Sequence, residues 1–416
     1  MGTYVPTEDA IECASDGDRL SGGENTRLLT VMLLVNGLDA GGPEQQFVEL
    51  ARGLDKSRFR VLMTPLSEST LLEDELHDTP EVELKSLGTR GRWDPTALPR
   101  LASLLRRERV DAMQPFGTPA MAFGFAAALI ARTPVRIATE RCGYRLNSHL
   151  ADKIWRFVED RLARSADAIV PDSEAGARHL VSHGIPNERV RVIYDGVEPE
   201  RIRTNLPERK ALRCELGVLD QSWLVGVSAR LAAEIDHSSF LHAASIVRAE
   251  VPGTKFLVVG EGTLRTELQR RATILGLDGS IIFAGRQARV APYIGAMDVA
   301  VLSSGDPDVA SSFGLEAMGL GRPIVATDTG SNSELFPMGE AGLIVPPNNP
   351  IILAHAILEV MRHPDAVERM RARGREIFSE RFTMKRMITS YEELYSDLWR
   401  RYEAKQLASE KTVRSR

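Results

Sequence analysis

Short aliphatic runs alternate with longer amphipathic segments twice over in this 416-residue chain, and a proline- and charge-rich stretch at 195–210, DGVEPERIRTNLPERK, separates the two series. Near-continuous apolar strands that alternate with helices suit a parallel sheet, whose crossover helices cover both faces. In the first series the expected strands are 29–35, 59–64, 112–114, 135–138, 168–171 and 190–194, with helices at 44–54, 98–107, 120–131, 153–164 and 174–183. The second series offers strands at 224–228, 255–259, 281–284, 299–303 and 324–327. A helix with Phe240, Leu241, Ala244 and Val247 on one face stops at Pro252-Gly253, and helices at 351–363 and 384–402 end the pattern. The expected fold class is α/β, with two tandem Rossmann-like doubly wound domains.

Length agrees, since a single core stops growing near roughly 250–300 residues. The expected division is an acidic leader at 1–26 with the composition of a disordered segment, a first domain at 27–204 and a second at 205–383. A terminal helix at 384–402 is expected to pack back on the first domain, followed by a polar tail at 403–416.

The net charge of -5 gives no reason to expect a nucleic-acid partner. Cys13, Cys142 and Cys214 lie far apart and form no CxxC pair, which fits a reducing cytoplasm. The longest apolar run, 119–131, falls short of the ~20 residues that span a bilayer.

In an open parallel sheet, ligands bind beyond the carboxyl ends of the strands, where helix N-termini present unpaired amides. After the first strand stand Gly41 and Gly42, followed by Pro43; they let backbone approach a phosphate, although taken alone a plain tight turn is the stronger reading. The run is not GxGxxG, so the dinucleotide fingerprint is absent. After later strands come Arg230, a fork of donors suited to phosphate oxygens or to a surface ion pair, then Gly260-Glu261-Gly262 and Gly285-Arg286, glycines that would admit a planar base.

The stretch 311–328, SSFGLEAMGLGRPIVATD, places a carboxylate, Glu316, in the middle of an otherwise small and apolar helix. Capping explains a first-turn acid. It does not explain the flanking Leu315, Ala317, Met318 and Leu320: a buried carboxylate needs donors, and the vicinal hydroxyls of a ribose are suitable ones.

With Gly41-Gly42, PDSEAGARHL, VIYDGVE, Ala229-Arg230-Leu231, VVGEG, FAGR and GLEAMGLGRPIVATDTG in this order, the chain from about Leu29 to Trp399 resembles the retaining glycosyltransferases of the GT-B architecture, family 4 of the sugar-nucleotide-dependent enzymes. The resemblance implies two domains facing each other across a cleft, no metal or other cofactor, and transfer of a hexosyl unit from a nucleoside-diphosphate sugar to a glycan, lipid-linked or small-molecule acceptor. It implies that Glu316 holds the donor ribose and that Asp308 lies near the transferred sugar. The amides of Phe313, Gly314 and Leu315 would meet sugar and diphosphate, Arg230 would neutralise the leaving diphosphate, and Gly41 and Gly42 would close over the donor. Gly260, Glu261 and Arg286 complete the expected donor-binding set.

The chain departs from the family pattern in three places. Asp308 replaces the usual glutamate, Ile235 stands where a lysine is usual five residues after Arg230, and Gln114-Pro115-Phe116 supplies no first-domain histidine. A nucleotide-sugar-binding scaffold without turnover and a sugar-nucleotide epimerase of the same shape are the alternatives. Asp306-Pro307-Asp308 spells DxD, the metal motif of a different glycosyltransferase fold, and His179 and His183 lie one helical turn apart without a third ligand. Arg100, Arg106, Arg107 and Arg109 form a basic cluster; it reads as a solvated face, or as a weak contact with anionic lipid on the inner face of the membrane.

Overall fold

The computed structural model describes residues 27–37, 42–67, 79–89, 94–140, 164–233, 235–304 and 312–414. Twelve strands among them form two six-stranded parallel sheets. The first comprises β1 (Leu29–Val35), β2 (Phe59–Pro65), β3 (Val82–Leu84), β4 (Ala112–Phe116), β5 (Val135–Glu140) and β6 (Ala168–Pro171), in the spatial order 3-2-1-4-5-6. The second comprises β7 (Leu224–Ser228), β8 (Lys255–Val259), β9 (Ile281–Gly285), β10 (Val299–Leu302), β11 (Ile324–Thr327) and β12 (Gly342–Val345), ordered 12-11-10-7-8-9. Counted within its own half, the second order is again 3-2-1-4-5-6, so each sheet reverses direction beside its first strand, between β1 and β4 and between β7 and β10. That reversal opens a crevice at the carboxyl ends.

The strands form where the aliphatic runs demand it. All seven residues of β1, LTVMLLV, are buried, as a central strand covered on both faces requires. Helices α1 (Gly42–Gly53), α2 (Ala97–Arg107), α3 (Thr118–Ala131) and α4 (Glu174–Ser182) belong to the first half. The second half holds α5 (Leu206–Glu215), α6 (His237–Glu250), α7 (Arg265–Ile274), α8 (Ala291–Ala296), α9 (Ser312–Gly319), α10 (Asn332–Leu335), α11 (Pro350–Arg362) and α12 (Pro364–Arg381). The start of α5 is set by a reciprocal capping box between Asn205 and Glu208, with Pro207 in the first turn.

Several elements differ from the sequence reading. Residues 190–194 are not a strand: Arg191 N and Ile193 N donate to Ile169 O and Pro171 O at 2.9 and 3.1 Å beside β6, and the chain then leaves the sheet to cross between the halves. The short edge strands β3 and β12 and the whole of α12 were not expected. Polar residues dominate α12, and only Val367, Met370, Gly374, Ile377 and Phe378 are buried. The last helix, α13 (Met384–Arg414), runs past 402, because residues 403–414 contain no Gly or Pro to stop it.

Met384, Met387, Tyr391, Leu394, Tyr395 and Leu398 of α13 lie in the same core as Phe47, Leu50 and Leu54 of the first half. The Tyr395 hydroxyl donates to Gln114 Oε1, and Gln114 Nε2 donates to Thr139 Oγ1 at 2.8 Å, which accounts for a fully buried Gln in a central strand. The chain therefore crosses between the halves twice. The two crossings pair, with Val197 N donating to Phe382 O at 2.9 Å and Met384 N to Val197 O at 3.0 Å. A Cβ on Gly196 would stand 2.7 Å from Met384 Cα and 2.9 Å from Thr383 O, so the glycine of VIYDGVE is what lets the two crossings touch.

Candidate functional site

At the switch point of the second sheet, the loop after β7 lies against the end of β10. Ile235 bridges Ser304 in antiparallel fashion, and Asp236 N donates to Ser303 O at 3.2 Å. Arg230 is exposed on this loop. Its carbonyl accepts from His237 Nε2 at 2.8 Å, while Asp236 Oδ1 caps α6 by accepting from Ser239 N at 2.9 Å. His237 is 3% exposed, and burial pushes its pKa below the usual histidine value. It is a neutral prop for the Arg230 backbone and no substitute for the cation that Ile235 lacks. The sequence offers His237 only as a stand-in cation; as the first residue of α6, next to the cap Asp236, it carries no local signal of the contact with the Arg230 carbonyl.

Neighbouring strand-end loops are laced to the Arg230 loop. Ala229 N donates to Val259 O at 3.0 Å, Leu231 N to Glu261 O at 2.9 Å and Gly260 N to Gly285 O at 2.9 Å. Gly260 has φ 137°, and a Cβ there would lie 2.0 Å from Ala229 O; one on Gly262 would lie 2.3 Å from Leu231 O. These glycines already serve loop-on-loop contact. Glu261 is ion-paired with Arg265, and Arg286 is exposed just past β9.

After β10 comes α9, whose first turn contains Phe313, Gly314 and Leu315. Leu315 is 2% exposed and packs its side chain in the core, while the amides of Phe313 and Gly314 fall among those a helix leaves unpaired in its first turn. Glu316 is partly buried in the next position, and no donor is bonded to its side chain among the described residues. Burial pushes its carboxyl up to about 7, against a smaller opposing pull from Arg201. Arg201 itself reaches across to Glu49 of α1 at 2.9 Å. A carboxyl so placed is short of donors.

Gly42 opens α1. Gly41 and Asp308, with the rest of the DxD run, lie outside the described residues. Phe116 ends β4 and packs on Phe47 with ring centroids 4.7 Å apart, so the position lacking the family histidine is apolar core. At the first sheet's switch point Asn36 Oδ1 accepts from Ala120 N at 2.8 Å and so serves the N-terminus of α3. His179 and His183 sit at the end of α4, where His183 Nδ1 faces His179 O at 2.9 Å, so the pair closes the C-terminus of that helix.

Two doubly wound domains, with a helix N-terminus, an arginine and a donor-poor carboxyl at one set of strand ends, make up the GT-B class of protein. Solved structures agree on the fold. Alr3699/HepE of Anabaena, in complex with UDP, matches with TM-score 0.78 at 23% identity, covering 89% of this chain and 100% of that one. Sucrose-phosphate synthase from Thermosynechococcus elongatus matches with TM-score 0.72 at 18% identity, over 89% and 99% of the two chains. The family model for a glycosyl transferase 4-like domain matches residues 41–196, and that for glycosyl transferases group 1 matches 208–377. The chain belongs to this glycosyltransferase family. The D-inositol 3-phosphate glycosyltransferase of Streptomyces bingchenggensis is 27% identical over 259 residues, 59% of this chain and 56% of the relative. The lipopolysaccharide core biosynthesis glycosyltransferase LpsE of Rhizobium meliloti is 30% identical over 146 residues, 35% and 43% of the two chains. The chain thus spans about half the length of these relatives.

Proposed function

We propose that the protein transfers a hexosyl unit from a nucleoside-diphosphate sugar to a glycan, lipid-linked or small-molecule acceptor, with retention and without a metal ion. The observation that carries this reading is Glu316, a carboxyl raised to about 7 by burial, lacking a donor among the described residues, one turn into the helix that follows β10. A ribose diol supplies two donors to it. The diphosphate then falls toward the α9 amides and Arg230, which act as fixed positive groups aimed at the charge that develops as the sugar leaves. The family resemblance further assigns Asp308 to the transferred sugar and Gly41 and Gly42 to the donor. Structures of HepE solved with UDP and with UDP-glucose support a nucleotide sugar as the ligand class.

The test is to incubate the pure protein with UDP-, GDP- and ADP-sugars, with and without EDTA, and follow release of the nucleoside diphosphate. Slow hydrolysis of one donor, unchanged by the chelator, is expected. Nucleotide binding with no hydrolysis in any arm favours the scaffold reading, and loss of turnover in EDTA with recovery in Mn²⁺ overturns the metal-free mechanism.

No helix among the described residues is long and apolar enough to cross a membrane. The proposed site of action is the cytoplasm, with peripheral contact to the inner membrane face. Support comes from the ends of α2 and α3, where Leu129 and Ile130 are 43% and 48% exposed and Arg106 donates to Ile130 O. Arg107, Arg109 and Arg132 are exposed around them, whereas Arg100 is turned away, donating to Leu87 O and Gly88 O. Binding to phosphatidylglycerol vesicles but not to phosphatidylcholine vesicles is expected, weakened by salt and by Arg106→Glu with Arg107→Glu. Equal partition to both vesicle types contradicts the contact.

A further inference from the structure

The two halves meet at a second place, beside the paired crossings, and it is built around one carboxylate. Helix α4 of the first half begins after its cap Ser173, whose side chain accepts from Gly176 N at 3.1 Å. That leaves the amides of Glu174 and Ala175 as orphans of the first turn. Glu334, on α10 just past the carboxyl end of β11 in the second half, satisfies both: Oε1 accepts from Glu174 N at 2.8 Å and Oε2 from Ala175 N at 3.0 Å. Oε1 also accepts from the Tyr194 hydroxyl at 2.6 Å.

Tyr194 is a fixed donor. Burial, with the Glu334 carboxylate beside it, pushes its phenol well above the ordinary tyrosine value. Its ring meets Phe382 edge-on at 5.4 Å, and the Arg381 guanidinium lies 5.1 Å over it. Tyr194 precedes the first crossing by two residues and Phe382 opens the second, so Glu334 is tied to both crossings as well as to α4. On its own side Glu334 is held by the loop that ends β11, where Asn332 Nδ2 donates to Thr327 O at 2.9 Å and Thr327 Oγ1 accepts from Ser304 N at 3.0 Å. Ser304 is the residue that bridges Ile235 in the Arg230 loop.

We propose that Glu334 is a positioning residue for transfer: by clamping the N-terminus of α4 and Tyr194 to the strand-end network that carries Arg230, it sets the angle at which the two halves face each other across the cleft. A carboxylate on two helix-terminal amides is a charge-assisted, bidentate contact with a strict direction, unlike the apolar packing elsewhere between the crossings. Glu334 touches neither Arg230 nor Glu316, so its effect falls on the alignment of donor against acceptor. The inference rests on the proposed transfer reaction taking place between the halves.

The test compares Glu334→Gln, Glu334→Ala and Tyr194→Phe with the wild-type protein, using the donor found above and amide hydrogen exchange of the peptide covering 172–177 in the ligand-free protein. Faster exchange at Glu174 and Ala175 is expected in Glu334→Ala. With it, kcat falls about tenfold or more while donor KM stays within about twofold, since misalignment by an ångström costs rate before affinity. Glu334→Gln, which keeps one acceptor, and Tyr194→Phe, which removes one of three bonds, fall between; they decide the matter if Glu334→Ala does not fold. Faster exchange with unchanged kcat, a change confined to donor KM, or unchanged exchange overturns the proposal. A wild-type protein inactive on every sugar nucleotide, with exchange still faster in Glu334→Ala, refutes the proposed reaction while leaving the clamp itself in place.

Discussion

Glu316→Gln is expected to lose donor affinity and gain stability at the same time. The affinity loss, on the order of a hundredfold, follows from removing a charged acceptor from two hydroxyl donors. The stability gain follows from the raised pKa. Between 4.5, the ordinary value, and about 7, the folded protein holds a proton at Glu316 that the unfolded chain has released. Stability therefore falls as pH rises through this window, and above it the folded protein carries a poorly solvated carboxylate. A neutral amide removes that penalty. Because the group is only partly buried, the gain at pH 8 is on the order of 2 kcal/mol, less than the full shift would imply. Urea denaturation of both proteins at pH 5 and pH 8 checks it: the variant is expected to be more stable at pH 8 and little changed at pH 5. Equal pH dependence in the two contradicts the burial argument.

Arg230→Ala is expected to lower kcat by on the order of 10²- to 10³-fold, the cost of losing one fixed donor to developing charge. The effect is large here because nothing on the same loop shares the load: Ile235 is 9% exposed and apolar, and His237 is buried, held below its usual pKa and committed to the Arg230 carbonyl. Arg230→Lys restores the charge without the planar fork and is expected to recover part of the rate. Steady-state kinetics with a saturating donor measure both. A variant with unchanged kcat would move the role to another cation, with exposed Arg286 the nearest in the sequence reading.

What the sequence made legible is the part governed by burial. A central strand such as β1 must be aliphatic throughout, and a helix such as α11 must carry Leu353, Ile357 and Leu358 on its inner face, so pattern alone finds them. Edge strands VEL and GLIV are too short for a pattern, and α12 buries too little of its length. Residues 190–194 have a strand's composition, but their backbone is needed for the crossing, which only the tertiary arrangement dictates. Gln114, in the stretch that supplies no family histidine, is a core bridge to Tyr395, which no local pattern announces.

The site divides in the same way. Glu316 could be found because a charge in an apolar helix is locally inconsistent, and such inconsistencies concentrate at functional positions. Gly260 and Gly262 are also where strand-end logic puts them, but the carbonyls of Ala229 and Leu231 already occupy the space their missing side chains leave. Glu334 was invisible, since it acts on backbone far away in sequence, reaching Glu174 and Ala175 some 160 residues earlier, and His237 stood out only as a possible cation, a role its burial rules out.

Whether the Glu316 carboxylate holds the ribose of a nucleoside diphosphate is decided by a binding cycle. Whichever of UDP, GDP and ADP binds best is titrated calorimetrically into the wild-type protein and Glu316→Gln, alongside its 2′,3′-dideoxy analogue. Removing the two hydroxyls is expected to cost the wild-type protein most of its affinity and the variant little. An equal loss in both proteins would show that the hydroxyls are bound elsewhere and would contradict the assignment of Glu316.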